Sequence, residues 1–214
     1  MSFENVNHLS IEGKNVIRIN VNDNIVWNIL PNGYTALDYI EVTGTQYIDT
    51  GFKADQDTRL VCEIMQVGTT MHVLGARQAV ATRNFSIRVV SKNWQLCFGS
   101  LNGGVTTGTI GVKDDWQVVD ISKNGLYVDG EFSVSREFEP FTTPYALALG
   151  AIRSGSMYYG TAKYRSCQIY DNGVLVRDFI PCKNSDGEIG MYDTVNSVFY
   201  SNAGTGEFVA GNEI

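Results

Sequence analysis

The sequence predicts an all-β protein, an antiparallel sandwich or barrel, with a small N-terminal β-hairpin or meander arm. Three observations lead there. Gly accounts for 22 of the 214 residues against 4 Pro, so turns are frequent and rich in glycine. Val, Ile, Thr and Tyr cluster in short runs between turn residues, with aromatics common among them. Start and stop signals for helices are almost absent. A chain of this length buries roughly 70% of its unfolded surface, so it needs no disulfide or metal staple.

The first thirty residues behave differently from the rest. "LSIEGKNVIRINVNDNIVWNIL" holds two turns, Gly13-Lys14 and Asn22-Asp23-Asn24, among alternating apolar positions. A three-residue loop at Asn22 to Asn24 pairs Val21 with Ile25, Ile19 with Trp27 and Ile17 with Ile29, which puts all six on one face. Three short strands cannot enclose a core, so the main module or another protein must cover that face. Pro31 and Gly33 then interrupt the strand pattern, dividing the chain into an arm (1–30) and a module (31–214).

Within the module the expected strands are 58–67, 85–91, 94–99, 116–122, 125–130, 145–152 and 164–170, spaced for antiparallel pairing. "SKNGLYVDGE" places two turns in quick succession, which makes a meander and not a βαβ unit. "IYDNGVLVRDFIPC" (169–182) reads as a hairpin about Asn172-Gly173 with Ile169 opposite Val176. That register sets Cys167 opposite Asp178, so it should not be bridged to Cys182. Cys62, Cys97, Cys167 and Cys182 show no CxxC spacing and have two histidines for company, so buried thiols are expected in place of a zinc site.

Several classes are excluded by bulk properties. The net charge is −7 with Lys and Arg scattered singly, which argues against a nucleic-acid partner. No apolar run approaches the ~20 residues of a membrane span. "MSFENVNHLS" has neither a basic nor an apolar signal region, so synthesis in the cytoplasm without a signal peptide is expected.

The stretches "LPNGYTALDYIEVTGTQYIDTGF" (30–52) and "YRSCQIYDNGVLVRDFIPCKNSDGEIGMYDTVNSVFYSNAGTGEF" (164–208) resemble modules found in phages and prophages of Gram-positive gut bacteria. These are similar to the concanavalin A-like lectin and laminin-G-like jelly rolls. The resemblance implies a two-sheet antiparallel jelly-roll sandwich in a virion protein: a capsid or tail-fibre component, a decoration protein or a receptor-binding protein, often assembled as a homo-oligomer. The arm resembles short pieces that precede such modules, which implies docking on other virion proteins through Ile17, Ile19, Val21, Ile25, Trp27 and Ile29. Fold alone names no ligand. Host cell-wall or mucus glycan is one expected partner; a purely structural decoration role and a bacterial surface lectin or glycanase are the alternatives.

Glycan-cleaving relatives of this fold place paired carboxylates on one strand as Glu-x-Asp-x-Glu. No such pattern is present. Asp55 with Asp57, Glu137 with Glu139, and Asp186 with Glu188 lie in turn-like surroundings, while His8 and His72 lack any triad context, so no enzyme is expected. Binding is better served. Sugar sites combine an aromatic ring with amide or charged side chains. "SKNWQ" offers Asn93 and Trp94; "RSGSMYYG" offers Arg153, Tyr158 and Tyr159 with Ser154 and Ser156. Trp94 also opens a strand, which directs it to the core, and alternation sends only one of Tyr158 and Tyr159 inward. An exposed ring there serves a glycan or a subunit interface equally well. Calcium is common in lectins of this fold, and "NSDGE" (184–188) has oxygen ligands around a Gly turn. Asx-turn chemistry accounts for the same residues, so calcium stays possible and unassigned, and no cofactor is expected.

Overall fold

Strict alternation shapes the longest strands. In Thr58–Gln66 every second side chain, from Thr58 through Leu60, Cys62 and Ile64 to Gln66, is buried while its neighbours reach solvent. The computed structural model describes residues 10–11, 14–15, 18–21, 24–68, 70–99 and 105–214, with backbone alone at 10–28 and at 70–71. All its regular elements are strands.

They form the expected two-sheet sandwich. The larger sheet runs Glu131–Val134, Gly125–Val128, Gln117–Ser122, Thr58–Gln66, Ala162–Asp171, Val174–Lys183, Ile189–Asp193, Val198–Tyr200. The smaller runs Thr106–Gly111, Asn93–Gly99, Thr82–Val90, Thr70–Ala79, Ala148–Leu149, Ile48–Asp49. Ala151–Ser154 joins Thr70–Ala79 in parallel, a departure from the all-antiparallel expectation, and among the described residues Ser156–Tyr159 pairs only with Ala151–Ser154. Between the sheets lie Leu60, Cys62, Ile64, Cys167 and Ile169 from one side and Leu74, Phe85, Ile87, Leu96 and Phe98 from the other. Tyr164 crosses this core: its hydroxyl donates to the Val73 carbonyl (2.6 Å) and accepts from the Gly150 N–H (3.0 Å). A smaller cluster, Leu30, Ala36, Ile180, Cys182 and Tyr192, packs on the other side of the larger sheet and takes in Ile29.

The Asn172-Gly173 hairpin forms with φ of 49° and 80°, the left-handed pair that a tight two-residue turn needs. Its register is corrected further in. A bulge after Ile169 sets Ile169 opposite Arg177 and Cys167 opposite Phe179, leaving Val176 as the extra residue. All four cysteines are free and buried, and the cross-strand partner of Cys167 is Cys62.

The arm also departs from the expected register. Ile19 does lie opposite Trp27, but Val21 pairs with Asn24 and Asn20 with Ile25 after a shift between Ile19 and Asn20. Pairing of Val21 with Asn24 takes Ile25 out of line with Val21, and the shift then restores the expected Ile19–Trp27 pair. Ile17 and His8 lie outside the described residues.

The two stretches that carried the family resemblance are fastened to each other. Asn202 accepts from the Tyr47 N–H (3.1 Å) and Gly204 N–H (2.8 Å), and Gln46 donates to the Glu207 carbonyl (2.8 Å). Asp193 of "MYD" is fully buried and organises the turn that follows, accepting from the backbone of Asp178 (3.0 Å) and Val195 (3.1 Å) and from the Asn196 amide (2.7 Å).

Candidate functional site

The site is built on the smaller sheet, on the face turned away from the core. Alternation sends Phe85, Ile87, Val89, Trp94, Leu96 and Phe98 inward. Asn84, Ser86, Arg88, Gln95 and Cys97 therefore point the other way. The next strand adds His72, Gly75 and Arg77, with His72 opposite Arg88, Gly75 opposite Ser86 and Arg77 opposite Asn84. A bulge at Val73 keeps His72 on this face.

Gly75 shapes the surface. Its φ is +132°, and a Cβ there would lie 2.3 Å from the Phe85 carbonyl oxygen and the Ser86 side chain. Cross-strand pairing puts Ile152 beside Gly75 and Tyr158 beside Ile152, so Tyr158, Ile152, Gly75, Ser86 and Cys97 form one row across the sheet. With no side chain at Gly75, the Tyr158 ring reaches residues on either side of it. Its centroid is 5.2 Å from that of His72 and 4.8 Å from the Arg77 guanidinium carbon.

Electrostatically the face is cationic and rich in donors. Arg77 is 4% exposed, and its Nε and Nη1 are buried without a hydrogen-bond partner among the described residues. Arg88 Nε donates to the side-chain Oε1 of Gln95 (2.7 Å), and the Ser86 hydroxyl donates to the side-chain Oδ1 of Asn84 (2.6 Å). Burial, then Arg77 and Arg88, hold the His72 imidazole below its ordinary pKa, so it is neutral at pH 7. Burial pushes the Cys97 thiol up, opposed by its contact with Ser86 and by Arg88, Arg77 and Arg136.

The residues chosen from sequence are only partly brought together. Tyr158 and Tyr159 are both exposed, at 43% and 38%, but on opposite sides of one edge strand. Tyr159 points toward Tyr47 (6.3 Å between centroids), and Arg153 is paired with Asp49 (2.7 Å) over the Tyr145 ring. "RSGSMYYG" is therefore a hairpin closed at Gly155 with two unlike sides, not a single binding loop. Trp94 is corrected outright as a ligand contact: it has no exposed surface and donates to Gln117 (3.3 Å). Asn93 caps its own turn through the Ser91 carbonyl (2.9 Å), with two strands between it and the Tyr158 hairpin. Arg77, Arg88 and the role of His72 were missed. The alternation in "NFSIRVV" signals Arg88, but nothing local in "MHVLGARQ" announces that Tyr158 lands beside it.

Away from this face, a concavity of about 400 Å³ is lined by Asp186, Glu188, Asn202, Glu207 and Phe208, among others. Asn184 Oδ1 accepts from the backbone of Asp186 (3.0 Å) and Glu188 (2.9 Å), so "NSDGE" is a self-satisfied Asx turn. Among the described residues no group of three or more His, Cys, Asp or Glu could hold a metal ion. Asp55 likewise closes a turn on Asp57 N (2.9 Å), while Asp57 pairs with Lys123 (2.9 Å).

No family model matches the chain, and no curated protein matches it. Among solved structures it is similar to a "putative carbohydrate binding protein" from Bacteroides ovatus ATCC 8483, with a TM-score of 0.54 and 10% identity. The match covers 83% of this chain and 61% of that one, so the chain spans less than two thirds of its neighbour's length. At such identity the likeness is one of fold: a β-sandwich shared with that protein.

Proposed function

We propose that this protein is a non-enzymatic glycan-binding module, and that sugar is held on the outer face of the smaller sheet. The half-exposed Tyr158 ring, braced between His72 and the Arg77 guanidinium, carries this reading. Such a ring offers a flat apolar platform to a sugar, and the Arg77 fork behind it and Arg88, opposite His72 on the neighbouring strand, offer polar partners. The description of the Bacteroides neighbour agrees with this reading. Binding without hydrolysis fits because the positions named on this face include no carboxylate to protonate a leaving oxygen.

The phage setting is the finer part of the proposal and rests on the resemblance of residues 30–52 and 164–208. In it the 1–30 arm docks on other virion proteins, the module is displayed as a homo-oligomer for adhesion to host glycan, and lysis releases the particle. A purely structural decoration role is favoured by one observation: Tyr159 and the free side of the edge strand Ser156–Tyr159 could meet a sister chain.

The test is calorimetric titration of the whole protein with host cell-wall oligosaccharides, beside Tyr158→Ala and Tyr159→Ala. Glycan reading predicts roughly tenfold weaker binding in the first, about 1.4 kcal/mol, and little change in the second. Absence of binding by folded wild-type protein, with Tyr159→Ala altering its oligomeric state, would transfer the function to assembly.

A further inference from the structure

We propose that this face selects glycans bearing an anionic group, a uronate carboxylate or a sulfate, seated on Arg77 and Arg88 beside the Tyr158 ring. The inference rests on the glycan reading above and adds the chemical class of the ligand.

Arg77 provides the first reason. A guanidinium carries five N–H donors in a planar fork, and a buried one is normally held by a carboxylate or several carbonyls. Here Nε and Nη1 are buried with no hydrogen-bond partner among the described residues, and the nearby Asn84 amide is spent on the Val80 carbonyl (2.8 Å) and on Ser86. Contact with the Tyr158 ring replaces only part of what an oxyanion gives, because charge-assisted bidentate bonds are stronger than a cation–π contact. An incoming anion would complete the fork.

The surroundings provide the second. Arg77 and Arg88 both act on His72 from adjacent strands, and both act on Cys97 together with Arg136. Neither Arg77 nor Arg88 forms an ion pair among the described residues, whereas Arg59, Arg153, Arg165 and Arg177 each do. The chain as a whole carries a net charge of −7, so the patch runs against the prevailing charge and is not generic basic stickiness.

Access is through Tyr158. It lies over the guanidinium from a strand that, among the described residues, pairs only with Ala151–Ser154, so entry of the ligand requires this ring to turn aside. The ring then stacks on the sugar while the anionic substituent meets the fork behind it. His72 reports the event. Its imidazole faces Arg77 on its own strand, Arg88 on the neighbouring strand and the Tyr158 ring, so an anion placed there favours its protonated form.

The experiment titrates the whole protein with three oligosaccharides of equal length: an oligogalacturonate, a sulfated galactan fragment and a neutral galactan. Each titration is repeated with Arg77→Gln and Arg88→Gln, and His72 is followed by NMR. The expected result is acidic binding at least tenfold tighter than neutral, weakened tenfold or more in either variant, with the His72 pKa rising only when an acidic ligand is bound. Uronate or sulfate preference identifies the source of the charge. Equal binding of the neutral chain, sensitive to Tyr158→Ala but not to the arginine variants, overturns this inference and leaves the glycan reading intact. Failure of all three to bind defeats both for these sugars. If Arg77→Gln does not fold, Arg88→Gln and the wild-type His72 titration still decide.

Discussion

Replacing Tyr164 by Phe tests the polar tie between the two sheets. The hydroxyl has no exposed surface, donates to the Val73 carbonyl at 2.6 Å and accepts from the Gly150 N–H at 3.0 Å. Removing it does not orphan these groups, because the Gly150 N–H also donates to the Val73 carbonyl at 3.0 Å. The loss is therefore about one to two ordinary hydrogen bonds, about 1–2 kcal/mol, with no desolvation penalty for a stranded donor. For a domain of this size that lowers Tm by about 2–8 °C. Urea unfolding at pH 7 measures it, with an unchanged m value showing that both folded and unfolded states are retained. Tyr170→Phe is the control, since its hydroxyl only donates to Gln168 (2.9 Å) within the same strand and should cost under about 0.5 kcal/mol. A Tyr164→Phe loss as small as the control, or one above about 3 kcal/mol, would refute the reasoning: the first denies the tie, the second denies the sharing.

Three further outcomes follow from the same geometry. Gly75→Ala should cost more than about 2 kcal/mol by chemical unfolding, because the new Cβ meets backbone at 2.3 Å and φ is +132°. Asp193→Asn replaces a fully buried carboxylate that accepts three hydrogen bonds and faces Arg177 Nε at 3.5 Å, so a loss of about 2–4 kcal/mol is expected in the same assay. Burial raises the Cys182 thiol from 9.0 to about 12. Its contribution is intact below pH 9 and is lost as pH rises toward 12, at about 1.4 kcal/mol per unit; Cys182→Ala should show a shallower alkaline decline.

Much of the sandwich was legible because its strands obey local rules. Period-two burial in 58–66 and positive φ at Asn172-Gly173 are written into a few adjacent residues. Register was less legible: a bulge after Ile169 displaced Val176 from its assigned partner, and in the arm Val21 pairs with Asn24 in place of Ile25 before a shift restores Ile19 to Trp27. The candidate site was legible only in pieces. Tyr158 stood out as an aromatic in a polar turn, but its neighbours come from a parallel pairing of 151–154 with 70–79, which no local pattern encodes. Trp94 was offered as a ligand contact from its place beside Asn93 in "SKNWQ", but it also opens a strand, and it is that alternation which holds its ring in the core.

The fastening of residues 43–47 to 202–207 has a kinetic consequence. Thr45 and Thr205 bond across 160 positions of sequence, and Thr58–Gln66 borders Ala162–Asp171 in the middle of the larger sheet. Contacts this remote must be found by a long search before they reward the chain, which places folding in the slow, millisecond-to-second range of β proteins. Until 162–171 arrives, "LVCEIM" is an open apolar edge, the segment through which partly folded chains would add to one another. Yield of native protein should thus fall with refolding concentration well before any native contact is weakened.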